Sequence, residues 1–420
     1  MTLRWGLLAA ATLGLGMPAG AVTLDEAIAA AIVHDPSITV ADASRDAASG
    51  RVTQARSGGL PTVTVRGSVG YGRLDPLGFF GLGSANVTPV TAQASIEQAL
   101  FTGGRVAAET ARARAGLAAT EAGRGAARAT LAADVAAAYG DVLTTATMVD
   151  LYRQLLAETT EIERQARLRY KAGESPSTDI SQAAARLSEA RGGLAGAEGA
   201  QAAAHAHYRN LVGLDPIELA PLPAGPVAPA TLDEAVAIAS QNSPAIAQAQ
   251  AAVDAARAAA SGAKADRLPS VGAFAEAGVV RDQFFPDYRA NSATVGIRAN
   301  WQLYNGGRVD GRIAETSAEV RAAEARLHAA RAQVEEQVIT NFQGVRTAQL
   351  MADAAADQAH ASNEALTSIR HEVRVGMKPQ LDLLDAEREA IAATTRAAQA
   401  RASRVVIAYR LDALLGRTSN

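Results

Sequence analysis

The chain has 420 residues, a formal net charge of −3 and no cysteine. The absence of cysteine excludes disulfides, thiolate catalysis and cysteine metal sites, and the weak negative charge gives no support for nucleic-acid binding. Aromatic residues make up only 4% of the chain, so the hydrophobic fraction of 48% consists largely of small side chains such as alanine. Such a composition favours long, closely packed helices over a bulky core.

The N-terminal residues have the pattern of a secretory signal peptide. Arg4 supplies a positive charge, residues 7–15 form an apolar stretch, and residues 19–21 are small enough for cleavage. This predicts a signal peptide over 1–21 and an exported mature chain that begins near Val22. The apolar stretch is too short to span a bilayer as a helix.

The mature chain contains two copies of one structural unit. The segment TLDEA at 23–27 returns 208 residues later at 231–235, and the GGR triplet at 103–105 returns 203 residues later at 306–308. The difference of five residues places a loop of variable length before each GGR. The sequence predicts a first repeat over 22–213, a proline-rich linker over 214–230 and a second repeat over 231–420.

Each repeat is predicted to open with a helix. Thr23 and Thr231 are the N-caps, and Glu26 and Glu234 follow three residues later to complete a capping box.

Two segments of alternating apolar and polar residues follow in each repeat, and this period of two predicts strands. They cover about 60–72, 91–101, 269–281 and 292–304. A soluble sandwich would bury the apolar face of such strands, whereas an exported protein could turn it to lipid in an outer-membrane barrel. Aromatic residues near the strand ends are consistent with membrane girdles: Phe79, Phe80, Phe101, Trp301 and Tyr304.

A paired glycine stands after the second strand of each repeat, in LFTGGRV (100–106) and LYNGGRV (303–309). The motif lacks the Lys-Ser/Thr of a phosphate loop. We interpret it as a joint at which a strand changes to a helix, because glycine supplies the backbone freedom for the change. The predicted junction residues are Phe101, Gly103, Gly104, Tyr304, Gly306 and Gly307.

Long helices are predicted after each joint, over about 105–172 and 308–375, because both ranges lack proline. At 1.5 Å per residue each would be roughly 100 Å long. A sharp turn precedes a second helix, over about 176–212 or 379–415, which starts at Pro176 or Pro379. Helices of this length need antiparallel neighbours to bury their apolar stripes.

Four strands cannot close a membrane barrel, since the smallest have about eight, and open edges are not tolerated in lipid. Two chains would supply eight strands and three would supply twelve. The duplicated halves, the two GGR joints and the tip sequences RYKAGE (169–174) and VRVGMKPQLDLLDAE (373–387) together resemble the TolC-type outer-membrane efflux and secretion proteins. The resemblance covers residues 23–416.

This resemblance implies a homotrimer of mixed fold, with a twelve-stranded membrane β-barrel and a long α-helical barrel. Each chain would supply a duplicated half-unit of helix, β-hairpin, long helix and helix. It further implies a passive exit duct for type I secretion or drug efflux, in the outer membrane with a long periplasmic extension. Its partners would be a periplasmic adaptor, an inner-membrane pump of ABC or RND type and outer-membrane lipid, without nucleic acid or cofactor. Phe101 and Tyr304 would mark the periplasmic membrane surface.

The resemblance also implies an aspartate ring at the periplasmic end. The matching residues are Asp382 and Asp385, which are three apart on one helix face, so a trimer would place six carboxylates around the pore. Such a ring would favour cations. The alternative for Asp382 is a favourable interaction with the helix dipole, as for Asp179 in the first repeat.

Two further sets of tip residues follow from the resemblance. Lys378 corresponds to a basic residue that links the second hairpin to the first, around Thr178 and Asp179, in the closed state. Pro379 and Val373 depart from related tips, which indicates a thinner closing network. The predicted adaptor-docking residues are Gly173, Val375, Gly376 and Met377, although turn chemistry alone also explains the glycines.

Two other classes of protein fit less well. The six histidines are scattered, and His205 and His207 point to different faces of a helix, so neither a metal site nor an enzyme is predicted. A trimeric coiled-coil adhesin or periplasmic scaffold would explain the helices and the export. It would not explain two β-hairpins in duplicate.

Overall fold

The structure is a computed structural model that describes residues 21–75 and 83–417. The predicted signal peptide up to residue 20, together with Phe79 and Phe80, lies outside these ranges. The described chain forms two compact units. Unit 1 contains residues 21–35, 130–228 and 341–411, and unit 2 contains residues 36–75, 83–129, 229–340 and 412–417.

The elements occur in the same order in both repeats, apart from one small ribbon. The first repeat contains α1 (Leu24–His34), α2 (Pro36–Ser57), β1 (Thr62–Val69), β2 (Gly72–Leu74), β3 (Ala85–Val87), β4 (Val90–Phe101), α3 (Arg105–Lys171) and α4 (Ser177–Val212). The second contains α5 (Leu232–Asn242), α6 (Pro244–Ala265), β5 (Ser270–Arg281), β6 (Arg289–Asn300), α7 (Arg308–Arg374) and α8 (Gln380–Leu414). The predicted half-unit of helix, hairpin, long helix and helix is confirmed.

The opening helix of each repeat is two helices rather than one. Pro36 and Pro244 begin the second helix in each case, because proline fits a first helical position but cannot continue the preceding helix. The capping box is complete at Thr23, where the Glu26 carboxylate accepts from the Thr23 N–H. At the second site Thr231 caps Glu234, but the Glu234 carboxylate accepts from the Ala230 N–H instead.

Three strand ends differ from the predicted ones by three residues or more: β1 ends at Val69 rather than at 72, and β6 begins at Arg289 rather than at 292 and ends at Asn300 rather than at 304. β6 ends at Asn300, so Trp301 and Tyr304 lie beyond the strand. In the continued register Trp301 would lie opposite Pro269, which has no N–H for the ladder, and the Trp301 indole N–H donates to the Arg267 carbonyl at 3.1 Å. A further difference is the ribbon of β2 and β3 in the first hairpin, which the sequence pattern did not predict.

Unit 2 contains a four-stranded antiparallel sheet in the order β1-β4-β5-β6. The first hairpin therefore pairs with the second through β4 and β5. In register, Val63 lies opposite Ile96, Ile96 opposite Ala275, and Ala275 opposite Val295.

Unit 1 contains a buried tyrosine that holds the start of the chain and the linker. Val22 forms a parallel bridge to Leu219, and the fully buried Tyr139 has its hydroxyl 2.8 Å from the Val22 carbonyl and 2.6 Å from the Ala220 carbonyl. Burial, and next the neighbouring Tyr208, raise the pKa of Tyr139 to about 12. The hydroxyl thus remains a donor at physiological pH.

The helices α3 and α7 contain 67 residues each, which corresponds to about 100 Å of helix. In the part of the chain that the structure describes, no helix combines the length and apolar character needed to cross a membrane.

Candidate functional site

One face of the sheet in unit 2 is apolar and exposed. Alternate residues of β1 and β6 share this face, and their side chains remain largely accessible: Val63 is 69% exposed and Val295 is 83% exposed. Exposed apolar area of this kind requires a partner or lipid, because water does not favour it. The soluble-sandwich alternative would have buried the same residues within the chain.

The opposite face of the sheet is polar. Arg298 forms ion pairs with Glu276 at 3.4 Å and with Glu97 at 3.8 Å, and its guanidinium group lies 4.5 Å from the centre of the Phe274 ring. Gln93 extends the network with a 3.5 Å hydrogen bond to Glu276. Two opposite faces, one apolar and one hydrated, are the pattern of a membrane barrel strand.

The two outer strands of this sheet, β1 and β6, each have one edge that pairs with no other strand among the described residues. Such an edge presents a row of free N–H and C=O groups that can pair with another chain. β1 contains eight residues and β6 contains twelve.

The structure places both GGR motifs between a sheet strand and a long helix. Their glycines have left-handed φ values of +63° and +92° at Gly103 and Gly104, and +64° and +86° at Gly306 and Gly307. Residues other than glycine rarely adopt these φ values, so the backbone conformation of the joint requires the glycine pair. Phe101 is 46% exposed.

The two joints differ in their surroundings. A Cβ added at Gly103 would lie 2.8 Å from the Leu268 Cβ and 2.9 Å from the Ala265 carbonyl, whereas one added at Gly306 would meet nothing within 4 Å. Gly103 therefore permits a close approach as well as an unusual φ. The membrane-surface role of Phe101 and Tyr304 stays a prediction.

In unit 1 both helical hairpins turn through the same C-terminal motif. At the first tip the Glu174 N–H donates to the Arg169 carbonyl and the Gly173 N–H donates to Tyr170. At the second tip Met377 and Gly376 make the equivalent bonds to Glu372 and Val373. This is the Schellman motif, and it explains both glycines, whose φ values are +77° and +76°. It does not explain the exposed Val375 and Met377 beside them.

Asp382 and Asp385 are both exposed on the first turns of α8. Asp385 lies 3.4 Å from Arg186 of α4, and Arg186 also pairs with Glu189 at 2.9 Å. Arg388 completes the network with a 3.1 Å ion pair to Glu189. This network was not predicted, because the contact between α4 and α8 joins positions about 200 residues apart and leaves no local sequence pattern.

Lys378 forms a 2.9 Å ion pair with Glu372, within its own tip. Among the described residues it forms no hydrogen bond with Thr178 and no ion pair with Asp179. The structure nevertheless brings the two tips together: Asp179 and Pro379 line one groove of about 370 Å³. The link from Lys378 to the first hairpin stays a prediction for the closed assembly.

A buried glutamate lies one turn above the predicted ring. Glu387 is 3% exposed, and the Arg370 guanidinium lies 3.5 Å from it and 2.8 Å from Glu158. Burial, and next the facing Glu158, raise the pKa of Glu387 to about 8, although Arg370 acts in the opposite direction. Glu387 was not among the predicted site residues. Its spacing of three from the apolar Leu384 and Ala390 places it on the buried stripe of α8 and could have revealed it.

Comparison with known proteins identifies the class to which this arrangement belongs. The family model of outer membrane efflux proteins matches residues 27–214 and 235–417, which cover most of the chain. The chain therefore belongs to the outer membrane efflux protein family. Each repeat receives its own match, in agreement with the duplication.

Relatives and solved structures agree with this assignment. The chain is 29% identical to the outer membrane efflux protein BepC of Brucella suis over 67% of this chain and 62% of the relative. It is 32% identical to the protein CyaE of Bordetella pertussis over 74% of this chain and 66% of the relative. The match thus spans just under two thirds of both relatives. The outer membrane channel CmeC of Campylobacter jejuni has a TM-score of 0.81 at 12% identity, over 94% of this chain and 86% of that one.

Family membership confirms the resemblance to outer-membrane efflux proteins and the predicted outer-membrane location. The similarity to solved structures confirms the fold class of duplicated hairpins and long helices. The family consists of channels rather than enzymes, so the prediction that the chain is not an enzyme is also confirmed. Among the described residues, no group of three or more potential ligands could hold a metal ion.

Proposed function

We propose that three copies of this chain form one outer-membrane channel-tunnel that acts as a passive exit duct. The four-stranded sheets would join edge to edge, β6 of one copy beside β1 of the next, into a twelve-stranded barrel. The apolar face would contact lipid and the Arg298 network would line the lumen. The long helices would continue the duct into the periplasm.

The observation that carries this proposal is the sheet with two exposed faces and two open edges. A lone sheet of this kind is unsatisfied on every side, because its edges lack hydrogen-bond partners and its apolar face lacks cover. Closure with identical copies in lipid satisfies edges and face together. A coiled-coil scaffold would leave both unexplained.

The duct would serve efflux or type I secretion through a periplasmic adaptor and an inner-membrane pump of ABC or RND type. The tips support this part of the proposal, since Val375 is 69% exposed and Met377 is 76% exposed on a turn that needs neither of them. Exposed apolar side chains at a rigid turn fit a docking surface for the adaptor. Gly173 and Gly376 would shape the two turns.

Gating would occur at the same end of the helices. Asp382 and Asp385 would ring the periplasmic aperture, and Lys378 would pass from Glu372 to the first hairpin, near Thr178 and Asp179, when the aperture is closed. The exposure of both aspartates and the groove shared by Asp179 and Pro379 support this assignment.

Electrophoresis and conductance together test the proposal. Outer-membrane fractions of cells that express the chain should contain a trimer band in unheated samples that converts to monomer on heating. The purified trimer should form discrete channels in planar bilayers. A chain that runs as a monomer without heating, or a trimer that never conducts, would contradict the duct and favour the scaffold.

A further inference from the structure

The apolar face of the sheet ends in two arginines at the hairpin loop farthest along the strands from the GGR joint. Arg281 of β5 and Arg289 of β6 lie directly opposite each other in register, and both are exposed. Alternation along the strands places them on the same face as Val279, Val295 and Ile297. Directly opposed residues have Cβ atoms about 5 Å apart, so two positive charges meet at this point.

The described residues do not neutralise this pair of charges. No carboxylate among the described residues lies within ion-pair distance of either arginine. The neighbouring Asp282 is occupied within the loop, where its carboxylate accepts from the Asp287 N–H at 2.7 Å. Like charges directly opposite each other destabilise a sheet. The pair is therefore expected to have an anionic partner from outside the chain.

A second copy of the chain would not supply that partner through the sheet. The strand expected beside β6 in the trimer is β1, and its eight residues, TVTVRGSV, include no acidic side chain. The remaining neighbour of the apolar face is the membrane. At its boundary, headgroup phosphates lie at the level where an apolar strand face ends.

The loop next to the arginines has the composition of a membrane interface. Phe284 and Phe285 each lie edge-on to Tyr288, with ring centres 5.1 Å apart, and both phenylalanines are partly exposed. Aromatic side chains collect where the hydrocarbon region meets the headgroups. Guanidinium groups beside them can bind a phosphate through two parallel hydrogen bonds.

We propose that Arg281 and Arg289 form a binding site for the phosphate of an anionic lipid headgroup at the outer rim of the sheet. The inference rests on the proposed barrel. The trimer has three such sites, one on each protomer. Lipid acyl chains lie along the rows of Val279, Val295 and Ile297, and the headgroup phosphate takes the position between the two guanidinium groups.

Lipid binding to the purified full-length trimer tests the site. Native mass spectrometry in mixed micelles of phosphatidylglycerol and phosphatidylcholine should show a preference of the wild type for the anionic lipid. The double variant Arg281→Gln/Arg289→Gln should reduce that preference by about fivefold for each arginine removed, the usual contribution of a basic side chain at an anionic surface. Arg66→Gln is the matched control, because Arg66 is an exposed arginine on the polar face of β1.

Three outcomes would overturn the proposal: an unchanged preference in the double variant, an equal loss in Arg66→Gln, or full displacement of the lipid by excess inorganic phosphate. The last result would indicate a site for a free anion. The same samples are run unheated on gels and recorded in bilayers. Variants that remain conducting trimers with an unchanged lipid preference contradict only the headgroup site, whereas a wild type that is not a trimer contradicts the barrel as well.

Discussion

At the scale of single residues, the buried positions carry chemistry that composition does not indicate. Glu387 lies on the apolar stripe of α8, and Tyr139 is fully buried although it is a polar residue. A buried polar group is stable only when it is hydrogen-bonded or neutral. Tyr139 has two carbonyl acceptors, whereas Glu387 relies on a raised pKa. The two residues therefore respond differently to substitution and to pH.

Replacing Glu387 by glutamine is expected to remove a pH dependence of stability. The pKa of Glu387 in the folded chain is about 8, above the ordinary 4.5, so the folded chain holds this proton more tightly than the unfolded chain does. The resulting contribution to the free energy of unfolding is fully present below pH 4.5 and is lost as pH rises through 8. The wild-type protein should melt at a lower temperature at pH 8.5 than at pH 5, and Glu387→Gln should reduce that difference. Thermal unfolding at pH values from 5 to 8.5 measures this difference in melting temperature. The exposed Glu389, changed to glutamine, should leave the wild-type profile intact; a flat wild-type profile would contradict the expectation.

Replacing Tyr139 by phenylalanine is expected to destabilise unit 1 by about 1–3 kcal/mol, because the part-buried Ala220 carbonyl loses its donor and the Val22 carbonyl keeps only the Ala220 N–H. Chemical unfolding of the purified protein measures the change. Tyr208→Phe is the control, since Tyr208 is equally buried but its hydroxyl bonds no described residue. Equal losses in both variants would show that the hydroxyl of Tyr139 is not the cause.

At the scale of elements, the long helices and the strand order within each repeat could be predicted from the sequence, because each depends on local periodicity. The helices α3, α4, α7 and α8 each begin and end within one residue of the predicted positions. The division of the opening helix into α1 and α2 at Pro36 was not predicted, because proline is also tolerated in the first turn of a single helix. The earlier end of β6 was missed because Trp301 continues the alternating pattern, whereas the end depends on Pro269, which would lie opposite Trp301 and has no N–H to pair.

The two GGR joints provide a matched comparison of close packing with backbone freedom. Gly103→Ala and Gly306→Ala both place a side chain in the left-handed region, at a cost of about 1 kcal/mol. Only Gly103→Ala also forces a Cβ against Leu268 and Ala265. We expect Gly103→Ala to lower the melting temperature of the purified protein more than Gly306→Ala does. Equal shifts in melting temperature would show that Leu268 moves away from the added Cβ without loss of stability.

Charge reversal distinguishes the two contacts assigned to Lys378. Lys378→Glu should raise single-channel conductance or antibiotic leak if this lysine holds the tips closed. Glu372→Lys in the same chain restores the ion pair within the tip. If the swap also restores the low conductance, the pair with Glu372 is sufficient, whereas a persistently open channel supports the link to the first hairpin. No effect of Lys378→Glu would remove this lysine from the gate.

At the scale of the whole molecule, the proposed assembly with other copies and lipid rests on the exposed faces and edges of the sheet. The alternation of polar and apolar residues predicted two-faced strands. It could not predict that β4 would pair with β5, or that Arg186 would contact Asp385, since both contacts join the two repeats. Contacts between distant segments depend on the complete fold and leave no local periodicity.

The predicted aperture ring belongs to the assembled trimer and is tested there. Replacing Asp382 and Asp385 by alanine should change cation selectivity and the block by multivalent cations while trimers still form, because six carboxylates leave the pore. Planar-bilayer recordings measure both properties. Because Asp385 also pairs with Arg186, the variant Arg186→Ala separates the loss of that pair from the loss of the ring. Unchanged selectivity and block would exclude the ring.

The division into two compact units, each built from both repeats, has a consequence for the order of folding. Once residue 228 has crossed the inner membrane, the amino-terminal half still lacks the segments that complete either unit. β4 then has a free edge that β5 covers in the finished sheet. A strand left unpaired in this way is prone to aggregation. The first half of the chain can therefore complete its fold only after α7 and α8 have also been delivered.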